Sequence, residues 1–275
     1  MMRLIPLVVL CALVGCPRGK QAGQRLKMSK EVEIFDRSRP ADRVPGVAPG
    51  TVKGWIVKTL GASGAVQLVD GPGPDVYGLR VELGVATRDK EHVALVAARG
   101  DVPGGVDRVI LQASVVHTLS RADAASLRKV VETVTRDIAF QAGLAVGAPE
   151  KAVRVLETEK DPQRLAAAVE IAAVRRLKAA VPALIKLLRH KDPAVADRTI
   201  GALVAIGDRR AVKPLTRLSR FSDTEKMAKI IDGIGSLGGK EAQDWLELVA
   251  SGHEDADIRN LAREALERMG RSSKK

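Results

Sequence analysis

Histidine and glycine are the residue types in this chain that could bind a metal or a phosphate, and their spacing is unfavourable for both. The four histidines are scattered, and no two share a helical face at metal-ligand spacing: His92, His117, His190 and His253. We expect His190 and His253, which lie beside predicted turns, to be solvated. The segment from Gly235 to Lys240 does not complete a phosphate-binding loop, which would need a glycine at Ile234 and a Ser or Thr at Glu241, and it is predicted to form a turn. The sequence therefore predicts a protein without catalytic residues, metal ligands or a cofactor, and not an enzyme.

One cysteine lies where its thiol could be modified. Residues 1–16, MMRLIPLVVLCALVGC, place Arg3 before an apolar run that is shorter than the roughly 20 residues needed to span a bilayer. The run ends in LVGC, which resembles the bacterial lipobox. The resemblance implies a lipoprotein signal peptide at 1–15, cleavage before Cys16, and acylation of its sulfur and new amino group. The mature protein would then be anchored to a membrane through Cys16. The alternative is an ordinary secretory signal with a chance cysteine.

The residues after Cys16 give an expectation of where in the cell the protein would be located. Pro17, and no aspartate, follows Cys16. By resemblance to the sorting rules of Gram-negative lipoproteins, this implies a bacterial cell-envelope protein on the outer membrane, facing the periplasm. Residues 16–50 begin with a basic stretch and continue with prolines, so they are predicted to form a basic flexible tether. The basic stretch would either lie along anionic headgroups or be simply solvated.

Composition argues against a nucleic-acid partner. Lys and Arg exceed Asp and Glu by 45 to 33, which gives a formal net charge of +12, but no segment carries most of the excess. The chain has only two Trp, one Tyr and three Phe. Binding of single-stranded nucleic acid uses basic groups interleaved with stacking aromatics, so this composition, together with an export signal, predicts no nucleic-acid binding.

The C-terminal part of the chain repeats every 31 residues, because Asp161, Asp192, Asp223 and Glu254 each open a block. Within residues 192–222, apolar residues recur at the spacing of a buried helical face, Gly207 ends that helix, and a second helix follows. A fixed period of this length is typical of stacked helical hairpins. Residues 148–275 are therefore predicted to form an all-α solenoid. Arg176 takes the place of Gly207 in the first block, so we expect that block to turn differently.

The pattern DPxxxxxxxxAxxxIGDxxAVxPLxxL at 192–218 resembles the short HEAT-like repeats of bacteria, including those of phycobilisome-lyase-type proteins. The resemblance covers about residues 148–270. It implies a scaffold or adaptor whose repeats bind a protein partner in the envelope. The alternative that it permits is an auxiliary or lyase-like subunit whose solenoid shelters a small ligand.

Four basic residues recur at two repeat positions on the predicted second helices. Lys186 and Arg217 occupy one position, and Arg189 and Arg220 occupy the other. Stacking would align them into a basic stripe that could receive an acidic partner. The alternative is an ordinary solvated outer face.

Residues 51–147 have a different pattern and are predicted to form a small α+β module, which makes the chain multidomain. Residues 76–86 alternate apolar with polar residues, and strands are also predicted near 92–98, 108–117, 51–60 and 64–69. All five would form one antiparallel sheet, covered by a helix over about 121–142. A third possibility for function is that this module binds an envelope component while the repeats space it from the membrane.

Overall fold

The computed structural model describes residues 24–89, 91–102, 108–218 and 224–272. Cys16 and Arg220 lie outside these ranges. Within them, five strands form one sheet: β1 Leu26–Asp36, β2 Val66–Val69, β3 Tyr77–Arg88, β4 Glu91–Asp101 and β5 Leu111–Leu119. Their order across the sheet is β2-β1-β3-β4-β5. β1 pairs in parallel with both β2 and β3, whereas β3, β4 and β5 form an antiparallel meander.

Two predictions for the N-terminal half are wrong. Residues 26–50 are not a tether, because β1 lies inside the sheet with Met28 buried, and Asp42 and Val44 of the following segment are buried as well. Residues 51–60 are not a strand but belong to helix α1, Pro49–Ala62. The sheet is therefore mixed and not wholly antiparallel. The three strands predicted near 76–86, 92–98 and 108–117 are confirmed, as is the one near 64–69.

The sheet has one covered face and one open face. Helix α1 and helix α2, Ala124–Val146, cover the face that carries Leu79, Val81 and Val96. The opposite face has exposed apolar side chains, with Leu95 at 46% and Val116 at 66% exposure. Because alternate residues of a strand point to opposite faces, each strand supplies both the core and this open face.

The remaining helices build the repeats: α3 Pro149–Thr158, α4 Pro162–Val174, α5 Val181–Leu187, α6 Pro193–Ile206, α7 Val212–Thr216, α8 Thr224–Leu237, α9 Lys240–Gly252 and α10 Ala256–Ser272. α4 with α5, α6 with α7, and α8 with α9 are three successive pairs of helices, each pair joined by a short turn, and the single helix α10 packs on α8 and α9. Asp161 and Asp192 cap α4 and α6 by accepting main-chain N–H bonds. The α+β module is thus followed by helical repeats, as predicted.

The first hairpin does not turn differently, contrary to the expectation from Arg176. Its φ is +48°, in the same left-handed region as Gly207 at +72° and Gly238 at +65°. The Arg176 N–H donates to Ala173 O, and the next N–H, of Leu177, donates to Ala172 O. This pair of bonds is a Schellman motif with arginine where glycine is usual.

Helix α2 belongs to the sheet layer and to the repeat stack. It packs on β4 and β5 and also on α4, and a short turn joins it to α3 ahead of the first block. The half-buried Arg175 guanidinium of the α4 C-terminus donates to Leu144 O at 2.5 Å and to Gly147 O at 2.8 Å. These bonds satisfy carbonyls at the end of α2 that lack helical partners. Buried apolar residues of both regions form one continuous core.

Candidate functional site

The described residues of the predicted basic stripe lie on the second helices and are exposed. Lys186 is in the last turn of α5, Arg189 follows that helix, and Arg217 is the C-cap of α7. None of the three forms an ion pair with another described residue. Leu248 and Ser251 occupy the corresponding positions of the next block, so the repeated pattern of cations ends there. Partner binding by the stripe stays a prediction.

The histidines have local structural roles. His253 is only 3% exposed, so the expectation that it is solvated is wrong. Its Nδ1 accepts the N–H of Asp255 at 3.0 Å, and His190 Nδ1 accepts the N–H of Asp192 in the same way at 3.1 Å. Each ring therefore helps to shape the loop before a first helix of a repeat. No group of three or more His, Cys, Asp or Glu side chains in the described ranges could hold a metal ion.

A cleft lies where the sheet meets the first two repeats, and we call it the junction cleft. It has a cavity of about 670 Å³ between the open face of β3, β4 and β5 on one side and α4 and α6 on the other. A second cavity of about 390 Å³ continues it past Gln112 and Gln141 toward the exposed apolar side chains of Ile110 and Val174. The junction cleft thus has a charged part and an apolar part, and its size is in the range of ligand pockets.

Four arginines line the charged part, each paired with a carboxylate. Arg164 Nε donates to Asp137 at 2.8 Å, and Arg198 Nη1 donates to Glu170 at 2.8 Å. On the sheet side, the Nε of Arg80 and of Arg99 donate to Glu33 and Asp101, both at 3.1 Å. The hydrogen bond from Arg164 to Asp137 raises the pKa of that guanidinium. The cleft therefore offers both signs of charge.

The edge of the sheet beside the cleft is open over part of its length. Gln141 of α2, itself buried, pairs with the main chain of Gln112: its Oε1 accepts at 2.9 Å and its Nε2 donates at 2.6 Å. The N–H and C=O of Gln112 therefore point away from β4. Because this direction alternates along an antiparallel strand, the main chains of Ser114 and Val116 point outward too. No described group bonds to those outward atoms.

The composition of β5 makes this edge unusual. The strand LQASVVHTL has nine residues and contains no Lys, Arg, Asp, Glu or Pro. Exposed edge strands usually carry charges or prolines, or are short, because unpaired main-chain groups attract further strands. The other edge strand, β2, has only four residues. β5 is therefore the edge that can accept another strand.

The cleft residues come from segments far apart in the chain, which is why the sequence did not indicate them. The available signal was Gln141, a polar residue within the apolar face of α2. Its hydrogen-bond partner is the main chain of β5, and the apolar pattern of the helix gives no information about that partner. Of the predicted site residues, Lys186, Arg189 and Arg217 do not line the cleft, and Cys16 and Arg220 lie outside the described ranges.

Residues 149–225 match the family model for HEAT repeats. The matched segment runs from α3 to the beginning of α8 and includes the two helices that line the cleft. The HEAT-like repeats that the resemblance of residues 192–218 implied are thereby confirmed over this segment, and such repeats commonly mediate protein–protein interaction. No curated protein matches the chain. No helix in the described residues is both long and apolar enough to cross a bilayer.

Proposed function

We propose that this chain is a lipid-anchored scaffold of the bacterial envelope that binds a protein partner in the junction cleft. The anchor is the acylated Cys16, and the membrane is the outer membrane on its periplasmic side. HEAT repeats support a scaffold in general, and the LVGC sequence at 13–16 supports the anchor. We choose the junction cleft as the binding surface because the open edge of β5 lies there, beside the first two repeats.

An extended segment of the partner fits this surface. It would add a strand to β5 by bonding to the outward main chain of Ser114 and Val116, while its side chains contact the charged and apolar parts of the cleft. Main-chain bonds supply affinity in this mode of recognition, and the side-chain pockets supply specificity. The paired arginines and carboxylates of the cleft suit a polypeptide with charges of both signs.

Val116 allows a direct test of strand addition. Val116→Pro removes an N–H that points away from β4, so it blocks the new strand without removing a bond of the β4–β5 ladder. Val116→Thr is the matched control, because it removes the same apolar side chain and keeps the N–H. We expect a photo-crosslinking residue at position 114 to trap one partner in envelopes from cells with the wild type or Val116→Thr, and not with Val116→Pro.

Equal crosslinking by all three proteins would contradict strand addition. Thermal unfolding of the purified variants separates loss of binding from loss of folding. Four substitutions to Glu, at Lys186, Arg189, Arg217 and Arg220, test the basic stripe in the same assay. Loss of the crosslink with this variant alone would move the binding surface to the second helices.

The anchor has its own test. Metabolic labelling with a fatty acid should mark the wild type and leave Cys16→Ala unlabelled, and fractionation should find the wild type in the outer membrane. A small ligand is the second candidate for the cleft, since a cavity of about 670 Å³ is large enough for one. An absorbance spectrum and a mass spectrum of the protein purified from its own cells would detect such a ligand.

A further inference from the structure

The two sides of the repeat stack at which the helices begin and end carry opposite charge. The turns between paired helices, together with the beginning of β1, form one end, which we call the turn edge: residues 24–27, 147–151, 175–178, 207–213 and 238–244. These segments contain ten basic and four acidic residues. The described loops at the opposite end, 157–161, 189–193 and 253–257, contain three basic and seven acidic residues. The chain is thus polarised along the direction of its helices.

Contacts make the turn edge one continuous surface. Leu26 N–H donates to Ala65 O at 3.0 Å, and a methyl group on Gly143 of α2 would lie 3.4 Å from the side chain of Ala65. The bonds of Arg175 then join the end of α2 to the next turn. Farther along the stack, Arg210 Nη2 donates to Lys178 O at 3.0 Å. The beginning of β1 therefore lies at the same end of the molecule as the turns.

Most of the cations on this surface are available to an external anion. Arg176, Lys178 and Arg209 are exposed and form no ion pair within the described part of the chain. Two of the acidic residues on this surface are already neutralised by ion pairs: Asp208 with Arg210 at 2.7 Å, and Asp244 with Lys240 at 2.6 Å. Lys178, Arg209 and Lys240 are separated by 31 residues each and so form a column along the edge.

The position of β1 limits how far this surface can be from an anchor. Only residues 17–25 separate Cys16 from Leu26, and ten residue steps span at most about 36 Å even when fully extended. We propose that the turn edge lies against the anionic phospholipid headgroups of the membrane that holds the chain. This orientation rests on the proposed acylation of Cys16, and it directs the acidic end and its loops away from the lipid.

The size of the effect follows from the number of charges. Each Lys or Arg near an anionic surface strengthens binding about fivefold, so reversing three of them should weaken it at least about a hundredfold. Cations at the other end are more than about 10 Å away, which is one Debye length at physiological salt. Their reversal should therefore have little effect on lipid binding.

Vesicle co-sedimentation tests the proposal without the anchor. The protein is residues 16–275 with Cys16→Ser, and the vesicles are phosphatidylcholine with or without one third phosphatidylglycerol. The test variant reverses the column, with Glu at positions 178, 209 and 240. The control makes the same change of charge at three exposed lysines of the opposite half, Lys129, Lys160 and Lys191.

We expect the parent and the control to bind the anionic vesicles and to dissociate in high salt, and the column variant to lose that binding. Equal loss in both variants would show that only net charge matters and would overturn the proposal. Absence of binding by the parent would overturn it as well. Fatty-acid labelling of Cys16 is measured separately, so failure of the anchor and failure of the turn edge give different results.

Discussion

Arg176→Gly should stabilise the protein, because Arg176 holds a conformation that favours glycine. A left-handed conformation costs a residue with a Cβ about 1–2 kcal/mol. Glycine recovers that cost but loses about 0.4–1 kcal/mol through the greater entropy of its unfolded chain. Arg176 is exposed and has no ion pair among the described residues, so little else is lost. The free energy of unfolding should rise by about 0.5–1 kcal/mol, which is about 1–2 °C in Tm for a chain of this size.

Gly207→Ala is the matched control at the same position of the next block. A Cβ on Gly207 meets no atom within 4 Å, so its cost comes from the backbone alone at φ +72°. The expected change has the same size as that of Arg176→Gly and the opposite sign. Urea unfolding of the two variants measures both. The reasoning would fail if Arg176→Gly lowered the stability while Gly207→Ala behaved as expected. The exposed Arg176 side chain would then have to stabilise the fold by more than its backbone conformation costs.

Two further predictions concern packing and charge in the repeats. Gly233→Ala should destabilise the protein by about 1–2 kcal/mol, because the new methyl would lie 2.6 Å from Val204 Cγ2. In a double variant, Val204→Ala should remove most of that cost. Additive effects in urea unfolding would contradict this contact. Hydrogen bonds from Arg210 lower the pKa of Asp208 from 3.8 to about 2, so its ionised form stabilises the fold above pH 3.8, and that contribution disappears as the pH falls to about 2. Asp208→Asn should therefore be less stable than the wild type at neutral pH, by at most about 1 kcal/mol because the Arg210 partner is exposed, with the difference vanishing near pH 2.

The repeats could be predicted from the sequence because their information is local and is repeated. The first two blocks each contain their own apolar spacing, a capping aspartate and a turn, so Asp161 and Asp192 indicate the same structure independently. The turn at Arg176 was predicted wrongly because residue type is weaker evidence than repeat position. The core around the first hairpin fixes the turn, and arginine adopts the left-handed conformation that the neighbouring blocks reach with glycine.

The N-terminal errors have different physical causes. Val52, Ile56 and Leu60 are four residues apart, a spacing that places them on one side of a strand and also on one side of a helix, so the apolar pattern did not decide between the two. The beginning of β1 was assigned to a tether because Lys27 and Lys30 continue the basic stretch that precedes the first acidic residue, Glu31. An irregularity in its pairing, where residues 28–32 lie opposite only 77–79 of β3, also interrupts the regular alternation of buried and exposed residues. Its strand partners lie 40 to 49 residues later in the chain.

Placing β1 inside the sheet changes the distance over which an anchored protein could act. A tether of 35 residues would leave the folded part free to turn in any direction, whereas nine residues between Cys16 and Leu26 confine it near the bilayer. The apolar part of the junction cleft runs to Val174, beside the turn edge, whereas its charged part lies at the loop end of α4 and α6, where Pro162, Gln163 and Asp192 line it. That end is opposite the turn edge. A chain held to lipid by its turns would therefore present the charged part of the cleft and the open edge of β5 to partners in the space beyond the membrane.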